Sequence, residues 1–244
     1  MIGLLCGSVC NAAAQDAVGP AKTAQIKKAP LDSHPKLAGW WRFEEASGGA
    51  TADSSGHGRS GTLEGGSSFE ICSVPGRIGK AIRFGGSNEY IQIKGYKGVT
   101  GQGPRTVAAW IKTASSDGSI VAWGADGAGK LWQFGYIRGG LGVNPKGGYL
   151  YMKRATADDV WHHVVVVVGD ASPPNLHDDV KLFIDGEVAE IDDIGLLDLW
   201  PIDTGDKMDV TIGQGFKGVI DEVRLYELAL SEDEIKDLFK LGVK

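Results

Sequence analysis

Two carboxylates stand where a bare charge would be costly, and a third opens a loop. In "GFKGVIDEVRLYELALS", strand alternation lines up Asp221 with Val219, Val223 and Leu225, leaving Ile220, Glu222, Arg224 and Tyr226 on the other face. In "WWRFEE" the same alternation aligns Glu45 with Trp41 and Phe43, and register decides whether Glu44 or Glu45 points inward. Asp53 opens the Ser/Gly-rich loop "DSSGHG", whose backbone carbonyls are free to coordinate. A carboxylate among apolar neighbours must be hydrogen-bonded, paired or bound to a metal ion. Backbone N–H groups or an arginine such as Arg83 would satisfy Glu45 and Asp221 without a metal, and Asp53 would then cap a turn.

A second group of residues suits stacking. "LWQFGYIR" places Trp132, Phe134 and Tyr136 on one face, and "GYLYM" places Tyr149 and Tyr151 opposite Leu150 and Met152, with Arg138 and Asn144 close in sequence. Aromatic rings with polar handles favour binding surfaces, so Trp132, Tyr136, Arg138, Tyr149 and Tyr151 form a candidate carbohydrate platform. The competing outcome is that the rings are cross-strand core pairs, as is expected of Trp110, Trp123 and Trp161. His162 and His163, adjacent in "WHHV", fall on opposite strand faces and cannot chelate one ion together. The chain contains no G-x-S-x-G, no H-E-x-x-H and no Gly-rich phosphate loop between strand and helix.

The elements that must position these groups are mostly strands. "TVAAWIKT" (106–113) and "SIVAWG" (119–124) are short, β-rich and bounded by turn residues. The apolar run Val164–Val168 reads as a strand covered on both faces. Asp185-Gly186, between alternating segments, predicts a type I′ hairpin, which needs positive φ at both central positions. One short helix is predicted in "LSEDEIKDLFKLG", with Ser231 and Glu234 as a capping box and Gly242 as the stop. Many short strands and one terminal helix predict an all-β fold, an antiparallel two-sheet jelly-roll sandwich.

Composition narrows the function classes. The net charge of -6 and the lack of a long basic run argue against nucleic acid, whose binding needs Lys and Arg on phosphates. Residues 1–14 resemble a truncated export signal, with a short apolar stretch and Ala12 and Ala14 fitting an A-x-A cleavage site. Cys6 and Cys10 offer a lipoprotein alternative, weakened by Leu5 and Val9 before them. Residues 15–36, with Pro20, Pro30 and Pro35 and no hydrophobic period, read as a flexible linker, and 37–244 as one domain. No later stretch is long and apolar enough to span a membrane. Cleavage after Ala14 would leave Cys72 alone, able to form neither an internal disulfide nor a metal cluster.

Eight segments in order resemble the laminin-G-like, concanavalin A-like jelly-roll domains of secreted bacterial proteins: "WWRFEEASGG", "DSSGHGRSGTL", "PGRIGKAIRFGG", "YIQI", "TVAAWIKT", "WHHVVVVV", "VKLFIDGE" and "GFKGVIDEVRLYELALSEDEI". The resemblance implies a structural calcium ion where the first and last strands meet, with matching positions in "FEE", "DSSGHG" and "IDEV". Calcium takes about six to eight oxygens in flexible geometry. Glu45, Asp53 and Asp221 would supply three, with carbonyls near Ser55 and His57 and water completing the shell. "EIDDIG" (190–195) resembles the E-x-D-x-E signature of laminarinase-like hydrolases, but Ile194 takes the third acidic position and Asp193 the wrong face. The resemblance therefore implies a non-catalytic module, secreted or on the cell surface (extracellular or periplasmic), that binds a polysaccharide or a glycoprotein glycan. A protein–protein adhesion or surface-assembly module, with another surface protein as partner, is the alternative, ahead of a glycoside hydrolase or lyase.

Overall fold

The computed structural model describes Met1, residues 30–195 and residues 201–243. The proposed leader apart from Met1, both of its cysteines and linker residues 15–29 lie outside the described residues. The strands are β1 (Leu37–Trp41), β2 (Ala50–Thr51), β3 (Gly61–Glu64), β4 (Ser73–Pro75), β5 (Lys80–Gly85), β6 (Tyr90–Ile93), β7 (Arg105–Lys112), β8 (Ser119–Gly124), β9 (Leu131–Ile137), β10 (Gly140–Asn144), β11 (Leu150–Met152), β12 (Trp161–Val168), β13 (Val180–Ile184), β14 (Glu187–Val188), β15 (Ile191–Ile194), β16 (Met208–Ile212) and β17 (Lys217–Tyr226). Two four-residue turns, α1 (Phe69–Cys72) and α2 (Leu176–Asp179), accompany the terminal helix α3 (Glu232–Leu241).

The strands form two antiparallel sheets packed face to face. The first runs β14-β13-β12-β7-β17-β5-β4, with β1 also laid along β17. The second runs β15-β11-β10-β9-β8-β16-β6-β3-β2. Between them lies a core that includes Trp41, Phe43, Ile82, Phe84, Ile111, Trp123, Trp132, Phe134, Val164, Val166 and Val223. The alternate residues of β12, Val165 and Val167, pack on the outer side of the first sheet with Leu37, Phe183, Tyr226, Leu230, Ile235 and Leu238. The run 164–168 is continuously apolar because the sandwich covers one face and helix α3 the other.

Local readings of the chain hold in detail. Asp185 and Gly186 take φ of 53° and 85°, as a type I′ turn demands. Ser231 and Glu234 close the capping box and Gly242 caps the C-terminus of α3. Cys72 is buried and unbridged. One boundary moves: residues 30–36, read as linker, join the fold. Leu31–Ser33 form a 3₁₀ turn, Asp32 pairs with Arg224 at 2.5 Å, and the Tyr226 hydroxyl donates to the Leu31 carbonyl at 3.3 Å. Two prolines excluded a hydrophobic period there without excluding these tertiary contacts.

Arg105, fully buried at the start of β7, closes the sandwich where that strand begins. Its guanidinium donates to the carbonyls of Val99, Gly101 and Gly103 and to the Thr204 hydroxyl, at 2.7–3.1 Å. The Trp132 ring lies 5.2 Å beneath it. Burial pulls its pKa down to about 10, which leaves it charged at neutral pH.

Candidate functional site

The alternation expected through Asp221 is broken by a bulge. Asp221 faces Trp110 of β7 and Arg224 faces Ala108, so two residues of β17 oppose one of β7, and Glu222 adopts φ of 51°. Ile220, Val223 and Leu225 enter the inter-sheet core, whereas Asp221 and Glu222 both lie on the outer face. The bulge falls where β17 changes neighbour, from β5 (through Ile220) to β1 (from Val223 onward). Asp221 thus sits against the Gly76–Lys80 turn. Its Oδ2 accepts from the Ile78 N–H at 2.9 Å, and its Oδ1 is buried with no hydrogen-bond partner. Burial lifts its pKa to about 7, opposed by the Ile78 bond and aided by the charge of Glu222. Glu222 is satisfied by Arg224, Arg42 and the Trp40 indole N–H.

Glu45 and Asp53 do not join Asp221. Phe43, at φ of 57°, ends the alternation after Trp41, and Glu45 turns instead to the Thr51 hydroxyl (3.1 Å) and the Ala52 N–H (2.8 Å). Asp53 accepts from the N–H groups of Trp40, Ser55 and Arg59. Burial raises its pKa, but hydrogen bonds from Ser55, Arg59 and Trp40 outweigh that and hold it below the ordinary value. Among the described residues no three His, Cys, Asp or Glu side chains converge as metal ligands. The set Glu45, Asp53 and Asp221 therefore does not fit one ion. The acid that shares a turn with Asp221 is Glu44, which accepts from the Lys80 N–H at 3.2 Å and lies beside Arg42.

The aromatic platform divides. Trp132, Phe134 and Tyr136 point into the sandwich, and the Tyr136 hydroxyl bonds Thr156 at 2.8 Å. Trp132 and Tyr136 are thus core residues and are withdrawn from the platform. Tyr149 and Tyr151 stay on the outer side of the second sheet, half-buried, with ring centroids 5.9 Å apart and planes 18° from parallel. Each ring lies over a glycine: a Cβ on Gly140 would fall 2.3 Å from the Tyr151 ring, and one on Gly195 2.7 Å from the Tyr149 ring. The Arg138 guanidinium reaches the Tyr149 hydroxyl and lies 5.3 Å from its ring centroid.

What the aromatics hide inward leaves a polar surface outward. Register pairs Asn144 with Gln133, Gln133 with Ala122, Ala122 with Thr211, Thr211 with Gln92, and Gln92 with Thr62. These residues form one unbroken row over β10, β9, β8, β16, β6 and β3, and every one is uncharged. At adjacent strands about 4.8 Å apart, the row extends for more than about 20 Å. A cavity of about 290 Å³ opens on it, lined by Ser119, Ala122, Leu131, Gln133, Asp209 and Thr211. Gln133 donates to the Ser119 hydroxyl at 2.9 Å, which fixes its amide at the cavity. The tyrosine pair adjoins one end of the row, since Tyr151 faces Gly142 of β10.

The acidic stretch 190–195 falls at the sheet edge, where Glu190 pairs with Lys153 at 2.7 Å and Asp192 is exposed. The two histidines take opposite faces, as alternation requires. His162 bonds Asp185 and Asp158, and His163 packs against Trp110 and Phe239.

A family model described as the concanavalin A-like lectin/glucanases superfamily matches residues 84–236, more than half of the chain. No curated protein sequence matches. Domain 4 of AbnA, an extracellular GH43 arabinanase from Geobacillus stearothermophilus solved with arabinotriose, superposes with a TM-score of 0.61 at 23% identity, covering 83% of this chain and 98% of that one. The binding domain of Paraclostridial Mosquitocidal Protein 1 superposes at 0.57 and 16% identity, covering 84% of this chain and 52% of that one. The botulinum neurotoxin serotype D ligand binding domain, solved with N-acetylneuraminic acid, gives 0.52 and 12%, covering 84% and 50%. The chain thus spans about half the length of the two toxin domains and nearly all of the arabinanase domain.

Proposed function

Because the chain belongs to the concanavalin A-like lectin/glucanases superfamily, we propose that it is a non-catalytic, extracellular carbohydrate-binding module. Its binding face is the outer surface of the second sheet. The observation that carries this reading is the uncharged row Asn144–Gln133–Ala122–Thr211–Gln92–Thr62 with the tyrosine pair at its end. Sugar hydroxyls both donate and accept, and amide and hydroxyl side chains do the same. The apolar C–H face of a pyranose or furanose matches a tyrosine ring, whose hydroxyl supplies a polar handle. An extended row suits a linear polysaccharide. The arabinotriose held by domain 4 of AbnA and the N-acetylneuraminic acid held by the serotype D domain lend support from two proteins of this fold. The row itself carries no carboxylate, whereas retaining hydrolysis needs two at about 5–5.5 Å.

Calorimetric titration with a panel of neutral oligosaccharides, arabinotriose among them, tests the reading. At least one is expected to bind, and Gln133→Ala and Tyr151→Ala are each expected to weaken it about tenfold. No binding across the panel, or binding that both variants leave unchanged, would return the chain to the adhesion-module alternative.

The reading includes a structural calcium ion, moved from the residues first expected. The unpartnered Oδ1 of Asp221 and the carboxylate of Glu44 on the same turn would hold it, with carbonyls of residues 76–80 in support. It would neutralise a buried carboxylate and tie β17 to the first strand and the β4–β5 turn.

A further inference from the structure

A second cavity, on the outer face of the other sheet, has a different chemistry. It measures about 760 Å³ and is lined by Arg83, Lys112, Lys217, Val219, Trp161 and Asp159, among others. That is within the usual range of roughly 300–1,000 Å³ for small-ligand sites. Four of these residues form one register row: Arg83 of β5 faces Val219 of β17, Val219 faces Lys112 of β7, and Lys112 faces Trp161 of β12. Lys217, two residues before Val219 on the same face, faces Gly85, which has no side chain to cover it. Arg83 and Lys217 are exposed and Lys112, Val219 and Trp161 half-buried.

The charges here are unbalanced. Among the described residues, Arg83, Lys112 and Lys217 have no carboxylate within ion-pair distance, and what sets them apart from other unpaired cations such as Lys36 and Lys94 is that all three line one cavity. The cavity's one acid is the exposed Asp159 at its rim, in a protein whose net charge is -6. Three unpaired cations around an apolar floor, with a tryptophan as one wall, call for a ligand carrying both an anionic group and an apolar face.

We infer that this cavity is a second binding site, for an anionic saccharide whose carboxylate or sulfate lies between Arg83, Lys112 and Lys217 while a sugar face rests on Val219 and Trp161. That the anion is carried by a saccharide rests on the carbohydrate-binding reading above; the preference for an anion rests on the cations alone. The module then has one face for uncharged and one for acidic glycan, on opposite sheets. Such an arrangement can cross-link two chains of a mixed polysaccharide matrix.

Titrations of the full chain with trigalacturonate (carboxylate only), a κ-carrageenan tetrasaccharide (sulfate only) and a neutral galactotetraose separate the possibilities. At least one acidic probe is expected to bind more tightly than the neutral one, with affinity falling as salt rises from about 50 to about 500 mM and the screening length shortens. Lys112→Gln and Arg83→Gln are each expected to cost about tenfold, as loss of a charge-assisted bond does, and Tyr151→Ala is expected to cost nothing. Which acidic probe binds identifies the group. Acidic probes that bind no better than neutral galactotetraose, or that ignore both substitutions, overturn the proposal. Failure of the neutral face shows up separately, as loss of neutral-sugar binding with acidic binding and its Lys112 dependence intact.

Discussion

Replacing Arg105 with methionine is expected to lower the folding free energy by roughly 3–5 kcal/mol. The methionine fills much of the volume over Trp132 but leaves the carbonyls of Val99, Gly101 and Gly103 without their shared donor. These carbonyls belong to the loop entering β7, which meets Thr204 through the paired backbone bonds of Gly101 and Thr204. Lysine in place of Arg105 keeps the charge but not the planar fork, so Arg105→Lys is expected to recover part of the loss and no more. Urea unfolding reads both: the midpoint falls while the slope stays constant. A methionine variant within 1 kcal/mol of wild type, on the order of a surface substitution, would mean that water satisfies the loop as well as the guanidinium does.

Replacing Asp221 with asparagine is expected to act in opposite directions with and without calcium. Burial lifts the Asp221 carboxyl to about 7, from an ordinary value of 3.8. Between those values the folded chain holds a proton that the unfolded chain has released. The contribution to stability is therefore complete below pH 3.8 and lost as pH rises through 7, at up to about 1.4 kcal/mol per pH unit. His163 works the other way: burial holds its imidazole at about 3, so its contribution is present above its ordinary value of 6.5 and lost as pH falls toward 3. That slope is common to wild type and variant and cancels in their difference. In chelator at pH 8, Asp221→Asn is expected to melt above wild type. With calcium at a hundredfold excess over its dissociation constant, wild type should gain about 2.7 kcal/mol, and the variant much less. The gain should shrink on acidification, as protons compete for the same oxygen. Identical wild-type melting in calcium and in chelator at pH 7.5 would remove the ion and leave Asp221 as a buried acid that titrates near 7 without a metal.

Local signals carried much of the architecture into view. The type I′ turn at Asp185-Gly186, the Ser231–Glu234 capping box and the two-sided strand 161–168 each depend on neighbours in sequence, and each reads directly from it. The site did not. The bulge at Glu222 moves Asp221 to the outer face, and nothing local marks a non-glycine residue that will take φ of 51°. Phe43, at φ of 57°, redirects Glu45 in the same way. Within "LWQFGYIR", alternation reads from the sequence, but the three rings pack inward and Gln133, which faces out, carries the polar surface. The row from Asn144 to Thr62 joins six strands far apart in sequence. Its existence depends on register between them, which only the folded sheet supplies.

The central claim is that the outer surface of the second sheet holds an uncharged saccharide. Amide chemical-shift mapping of ¹⁵N-labelled protein, titrated with the tightest neutral oligosaccharide, tests it residue by residue. The account predicts that the largest shifts fall along Asn144, Gln133, Ala122, Thr211 and Gln92 and at Tyr151, leaving β5 and β13 unmoved. Shifts confined to the Gly76–Lys80 turn or to the first sheet, with that row silent, would contradict it.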